Sequence, residues 1–399
     1  MINIVFRRAV WTLLVFCLSL SAIADSYHPH IVKSQVVTLD TAAIERNANS
    51  STPFELAFGE TTLTVVLSPA PVWPKDGLPV LEVGEDGAIT KRTVQGNITY
   101  AGEVVGEDPA ECEARLTIAG GIVEGYVLSS TGWWFIEPLS RFAPKAASNE
   151  YLVYTTRDLD FVLDYGDDGL NEEIYEPWGG DPAPDGRIPV VMVADHPYAT
   201  YSGSSPYEAR HATLINMING IYNGQSGRTF RIVVSIADFG NTFLTPTNAN
   251  ALLTRLKLFV DFAGGGATDP NGPGLLGLMN LNAYFAHLTT ARDLDGNTAG
   301  VANQNGRFAL SQQALIPLGS GNSGVALGFQ NLMLAAHEIG HNFNALHKYA
   351  ECICVDDGWF GCDDYQRTLM WPEFHSDNQP RFSDTNRQRV RDFMTMQSF

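Results

Sequence analysis

Residues 335 to 348 read AAHEIGHNFNALHK and hold three histidines, His337, His341 and His347, with Glu338 beside the first. Leu332, Ala336, Ile339 and Phe343 recur at offsets of four, three and four, which predicts a helix with one buried stripe. His337 and His341 are four apart and stack on another side of that helix. Two neutral imidazoles on successive turns can ligate one zinc ion at about 2.0–2.1 Å. Glu338 is turned by about 100° from His337, so it reaches water on such a metal without being a ligand and is the candidate general base. His347 lies six residues past His341, where a straight helix would carry it around the cylinder. The chain must turn, and Asn344 sits where the turn is needed, because Asn tolerates the left-handed conformation that closes helices. Three histidines with an open fourth position make a catalytic rather than a structural zinc site.

The elements that must position these residues form two rhythms. Between Asp25 and about Asp164, short apolar runs such as TLTVVLSP and ARLTIAGGIVEGYVLSS alternate at period two between Gly, Pro and Asp, which predicts an antiparallel β domain over 25–163. Residues 164–187, rich in Gly, Pro and acidic side chains, read as an exposed linker open to proteolysis. The domain over 188–399 then begins with IPVVMVA (188–194), a continuous apolar strand of the kind covered on both faces. A helix follows, with Ser205 as N-cap, Pro206 at its first position and Leu214, Met217, Ile218 and Ile221 as its buried stripe. A strand over 230–237, a helix over 248–263 and a strand over 281–291 complete an α/β pattern with a mainly parallel sheet.

The first 24 residues have the pattern of a signal peptide: Arg7 and Arg8, an apolar run from Ala9 to Leu20, and Ala22-Ile23-Ala24. No stretch approaches the length of a membrane span. The expectation is a secreted protein, extracellular or periplasmic. A formal net charge of −19 argues against nucleic-acid or anionic-membrane partners. Export permits disulfides among Cys112, Cys352, Cys354 and Cys362, with their connectivity open. A second metal cluster in ECICVDDGWFGC is the alternative. Cys112 has three readings: a disulfide, a buried thiol, or a thiolate that fills the fourth zinc position and silences a precursor.

The motif resembles that of the metzincin zinc peptidases, H-E-x-x-H-x-x-G-x-x-H followed by a methionine turn, with Asn344 in place of the glycine. TLMWP is similar to that turn, which implies that Met370 lies beneath the zinc. Pro372 resembles the reprolysin (adamalysin, ADAM-like) branch, and Lys348 departs from that branch's aspartate. AHLTTARDLDGNTAGVANQ (286–304) resembles the reprolysin segment leading into the edge strand that pairs with substrate, RFSDTNRQRVRDFM (381–394) its closing helix, and residues 100–139 its propeptides. The resemblance implies a metzincin catalytic domain preceded by a β-rich prodomain that inhibits its own enzyme. An extended peptide would add to the edge around Thr298, Ala299, Gly300 and Val301, up to Asn303. Trp371, Pro372, Glu373 and Phe374 would line the selectivity pocket. One zinc ion is implied; calcium ligands are not placed, and Asp293 and Asp295 read as a turn. Protein or peptide substrates would be cut by metal-activated water with Glu338 as base. The rivals are a silent zinc-bearing binding or adhesion protein, and a zinc hydrolase whose third ligand is a carboxylate such as Glu373.

Overall fold

A computed structural model describes residues 27–163, 185–201, 205–262, 285–296, 298–313, 315–317, 323–347, 367–372 and 374–396. The expected signal peptide, nearly all of the linker, and Cys352, Cys354, Cys362, Lys348 and Glu373 lie outside these residues.

The N-terminal part begins with strand β1 (Gln35–Thr38) and helix α1 (Thr41–Asn49), whose first turn is capped by the Asp40 carboxylate accepting from the Ala43 N–H at 2.9 Å. Nine strands follow: β2 (Phe54–Phe58), β3 (Thr61–Pro69), β4 (Leu78–Val83), β5 (Ile89–Val94), β6 (Thr99–Val104), β7 (Glu113–Ala119), β8 (Ile122–Ser129), β9 (Gly132–Pro138) and β10 (Glu150–Thr155). Eight of these ten strands form one antiparallel sheet in the order β1-β10-β9-β8-β7-β6-β3-β2. The alternation that predicted strands is visible in the burial of β2, where Phe54, Leu56 and Phe58 face the core.

The exception is the hairpin β4–β5. It leaves its neighbours and joins the other sheet, where β4 pairs in parallel with a strand of the C-terminal part. The sequence boundary at 163 therefore does not separate two sheets. After β10 the chain reaches β11 (Val162–Leu163).

The C-terminal part carries β12 (Ile188–Ala194), α2 (His196–Thr200), α3 (Tyr207–Ser226), β13 (Phe230–Asp238), α4 (Ala249–Phe262), β14 (Phe285–Thr290), β15 (Gly300–Ala302), β16 (Phe308–Gln312), β17 (Leu315–Pro317), β18 (Ser323–Val325), α5 (Gly328–Asn342), β19 (Phe374–His375) and α6 (Asp384–Met396). Its sheet runs β15-β16-β14-β12-β13-β4-β5. The four pairings inside it are parallel, and the outer strands β15 and β5 are antiparallel. β12 is buried at every residue, as its unbroken apolar run requires. Helix α3 starts one residue later than expected, with Pro206 flanking it, and the Ser205 hydroxyl donates to Glu124 of the N-terminal sheet at 3.4 Å instead of capping the helix.

Candidate metal centre

Helix α5 buries Leu332, Ala336 and Ile339 in the core shared by both parts of the chain, and Phe343 follows at its C-cap. That stripe fixes the helix rotation and leaves His337 and His341 together on a different side. The helix ends at Asn342. Asn344 then takes φ +71°, the left-handed turn expected of it, and the chain reverses to carry His347 back.

The three imidazoles meet. Nε2 of His337 lies 3.1 Å from Nε2 of His341 and 2.9 Å from that of His347, and the last two are 2.9 Å apart. Two Nδ1 atoms face carbonyl oxygens, His337 that of Leu369 at 2.7 Å and His341 that of Ala345 at 3.0 Å. Each therefore carries its proton on Nδ1 and presents a bare Nε2 lone pair. Burial, followed by the two neighbouring rings, holds His341 well below the usual imidazole range, so it stays neutral. Convergent lone pairs repel unless a cation lies among them, and a tetrahedral site with bonds of about 2.0–2.1 Å has ligand separations of roughly 3.3 Å. The donor set and its size fit a zinc ion. Among the described residues this is the one group of three or more His, Cys, Asp or Glu side chains gathered closely enough to hold a metal.

The base candidate is placed beside an edge. Glu338 is buried, and its carboxylate abuts Gly300 at the start of β15, the outermost strand of its sheet. Thr298, Ala299 and Val301 are buried around it. Asn342 holds this hairpin to α5 by donating to the carbonyls of Asn303 and Phe308, both at 2.9 Å, while the Asn305 N–H donates to His341 O at 3.1 Å.

Met370 lies fully buried in the turn Thr368–Trp371, with its sulfur against Gly340 of α5, where an added Cβ would come within 2.7 Å. The same turn supplies the Leu369 carbonyl to His337. Trp371 and Pro372 follow, half-buried, with the Arg367 guanidinium 5.6 Å from the Trp371 ring. Glu373 and the Phe374 side chain lie outside the described residues. Backbone pairing places Val162 opposite His375 and Leu163 opposite Phe374, so the end of the N-terminal part runs antiparallel to this loop.

Cys112 is not brought to the imidazoles. It is buried in the core of the N-terminal sheet, and burial with a hydrogen bond to the Glu107 carboxylate pushes its thiol up to about 12. A thiol held protonated is a poor metal ligand. Two other buried histidines are tied into the sheet: His211 bridges Ser235 and Thr289, and His287 meets Ser311.

Sequence reasoning missed the residues that hold the third imidazole. Asn386 of α6 accepts from Leu346 N–H at 3.0 Å and donates to Leu346 O at 2.8 Å, clamping the peptide next to His347. Arg389, one turn on, donates to the carbonyl and the side-chain oxygen of Asn344, both at 2.8 Å. Their signal was only a spacing of three in a helix otherwise read as closure.

No helix among the described residues is long and apolar enough to cross a membrane. No curated protein matches the chain. Among solved structures, metalloproteinase-II from Bacteroides fragilis aligns at 11% identity over 88% of this chain and 94% of that one, with a TM-score of 0.45. Residues 185–383 match the model Reprolysin_5, described as Metallo-peptidase family M12. The segment that brings three imidazoles and a buried glutamate together thus carries the match to the M12 metallo-peptidases.

Proposed function

We propose that this protein is an exported zinc-dependent endopeptidase of metzincin, reprolysin-like type, made as a silent precursor whose linker is cut to release activity. The observation that carries the reading is the convergence of three bare Nε2 atoms on the helix and turn that also hold Glu338, next to β15, the outermost strand of its sheet among the described residues. Bound zinc supplies Lewis-acid polarisation and a water of lowered pKa. His337, His341 and His347 hold it, and the Leu369 and Ala345 carbonyls orient the first two rings. Glu338 takes the proton from the attacking water and returns it to the leaving amine. An extended peptide adds to the outer edge of β15, with Trp371 and Pro372 lining the selectivity pocket and Met370 supporting the helix from below. The proximity of His347 favours it over a carboxylate third ligand. Elemental analysis for zinc, together with hydrolysis of a broad peptide library by the linker-cut protein, tests the reading. Processed protein that holds zinc and cuts nothing would return the chain to the class of zinc-bearing binding proteins.

A further inference from the structure

Helix α3 is buried almost all round: Tyr207, Ala212, Leu214, Met217 and Tyr222 are enclosed although they point in different directions. A helix with no wet face lies between two layers. On one side Tyr222 donates to the Ala336 carbonyl of α5 at 3.0 Å. On the other, Asn216 donates to the carbonyls of Tyr100 and Leu116 in the N-terminal sheet, each at 3.1 Å. The approach there is so close that a Cβ on Gly220 would overlap the Tyr126 hydroxyl and the Glu113 carboxylate.

Two further attachments cross between the parts. The β4 strand extends the C-terminal sheet, with Val80 opposite Ser235 through Val83 opposite Asp238, and Ile232 N–H donates to Val72 O at 2.6 Å. At the start of α5, Leu327 offers no side-chain acceptor, so the helix's first N–H groups find partners in the N-terminal sheet. Gly328 N–H donates to Glu137 at 2.7 Å and Phe329 N–H to the Tyr154 hydroxyl at 3.4 Å. Tyr154 and Arg141 both donate to Glu137, and Arg141 also donates to the Ala326 carbonyl at 2.9 Å. A carboxylate at this end of α5 also meets the positive end of the helix dipole.

We propose that the N-terminal β-domain is a permanent part of the working protein: a cut in the linker leaves it bound as a non-covalent second chain, with Glu137 as the positioning residue that holds the head of α5. Removing the domain would expose one whole side of α3, strip β4 from β13 and leave the first turn of the histidine-bearing helix uncapped. Opening the linker frees the linker and not the domain. The role given to Glu137 rests on the metal-centre reading; retention of the domain does not.

The test replaces eight residues within 168–179 of the full-length chain by the recognition sequence of a specific protease. The protein is cut after folding and sized by analytical ultracentrifugation in 0.5 M salt. The two pieces are expected to sediment together at the mass of the uncut protein. Sedimentation of the N-terminal piece apart from the remainder overturns retention, whether the remainder stays soluble or precipitates. For Glu137, zinc affinity is measured by chelator competition in uncut Glu137→Ala and Glu137→Gln chains that keep the wild-type circular dichroism. The Ala variant is expected to bind about tenfold more weakly and the Gln variant, which keeps an acceptor for Gly328, within about threefold of wild type. If Ala fails to fold, a Gln variant tenfold weaker than wild type overturns the positioning role, as does a folded Ala variant of unchanged affinity. Co-sedimentation without zinc binding in the wild type would sink the peptidase reading and leave retention standing.

Discussion

Gly300 presses against the carboxylate of Glu338: a Cβ built on the glycine would lie 2.7 Å from Cδ of the glutamate, closer than carbon atoms pack. The outer strand and the base candidate are therefore fitted to each other, and the fit requires hydrogen at position 300. Gly300→Ala should turn the Glu338 side chain out of place while leaving the three imidazoles untouched. The expected result is normal zinc content with turnover lowered by about 10²-fold, approaching the loss of the base itself. Turnover within twofold of wild type would mean that Glu338 does not work from the position described.

Glu338 and His341 separate by metal content. Glu338→Ala should retain zinc and lose about 10²–10⁴-fold or more in turnover, because proton transfer is removed and the ligands are not. His341→Ala should lose both, since two imidazoles hold zinc far less well than three. Elemental analysis beside hydrolysis of a protein substrate distinguishes the two; near-normal turnover in Glu338→Ala would dispose of its role as base.

Asn386 makes two hydrogen bonds to the Leu346 backbone, next to His347. Replacing it by Ala should loosen the turn that delivers His347 and weaken zinc binding by about 10- to 100-fold with little change in helix content. Asn344→Gly, which keeps the left-handed turn, should bind zinc nearly as wild type does, whereas Asn344→Val should not. Equal zinc affinities across all three variants would show that the turn is held by something else.

Acid should destabilise the fold through histidines that full or partial burial keeps neutral. Burial, with help from His28, lowers His30 to about 4, burial lowers His287 to about 3, and burial with Arg210 and His287 holds His211 well below the usual range. Each folded-state value lies below the unfolded one near 6.5, so the unfolded chain binds more protons as pH falls. Their contribution is complete above about pH 6.5 and is lost as pH drops through 6.5 toward 4 and 3, by roughly 1 kcal/mol per pH unit for each of the fully buried His211 and His287 and by less for the half-buried His30, which water screens. Urea unfolding at pH 7, 6, 5 and 4 should show this slope, and His287→Asn should flatten it. A curve level from pH 6.5 to 4.5 in the wild type would rule the assignment out.

The local half of the centre was legible because its causes are local. The stripe of Leu332, Ala336 and Ile339 sets the helix rotation, a spacing of four stacks His337 on His341, and Asn344 marks the turn by its own conformational tolerance. The strand alternation of the N-terminal sheet and the unbroken apolar run of β12 were readable for the same reason. What escaped depends on partners far along the chain. Residues 78–94 carry the same strand chemistry as their neighbours, and nothing in them announces that β4 will pair with β13. Helix α3 was read as having one buried stripe because its second covering layer comes from the other half of the molecule. Glu137 lies in the segment 100–139 that resembles propeptides and drew no reading of its own, because the N–H it accepts from lies 191 positions away.

The migration of β4 into the distant sheet also sets an order of assembly. Val80 meets Ser235 only after roughly 150 intervening residues have been made, and parallel pairing over such a separation forms late and slowly. A ribosome that has released only the first half of this protein holds a hairpin whose β4 edge still lacks its β13 partner, an invitation to aggregation. Chaperone protection of the nascent chain until β13 emerges, and refolding yields that fall as protein concentration rises, follow from that single crossed strand.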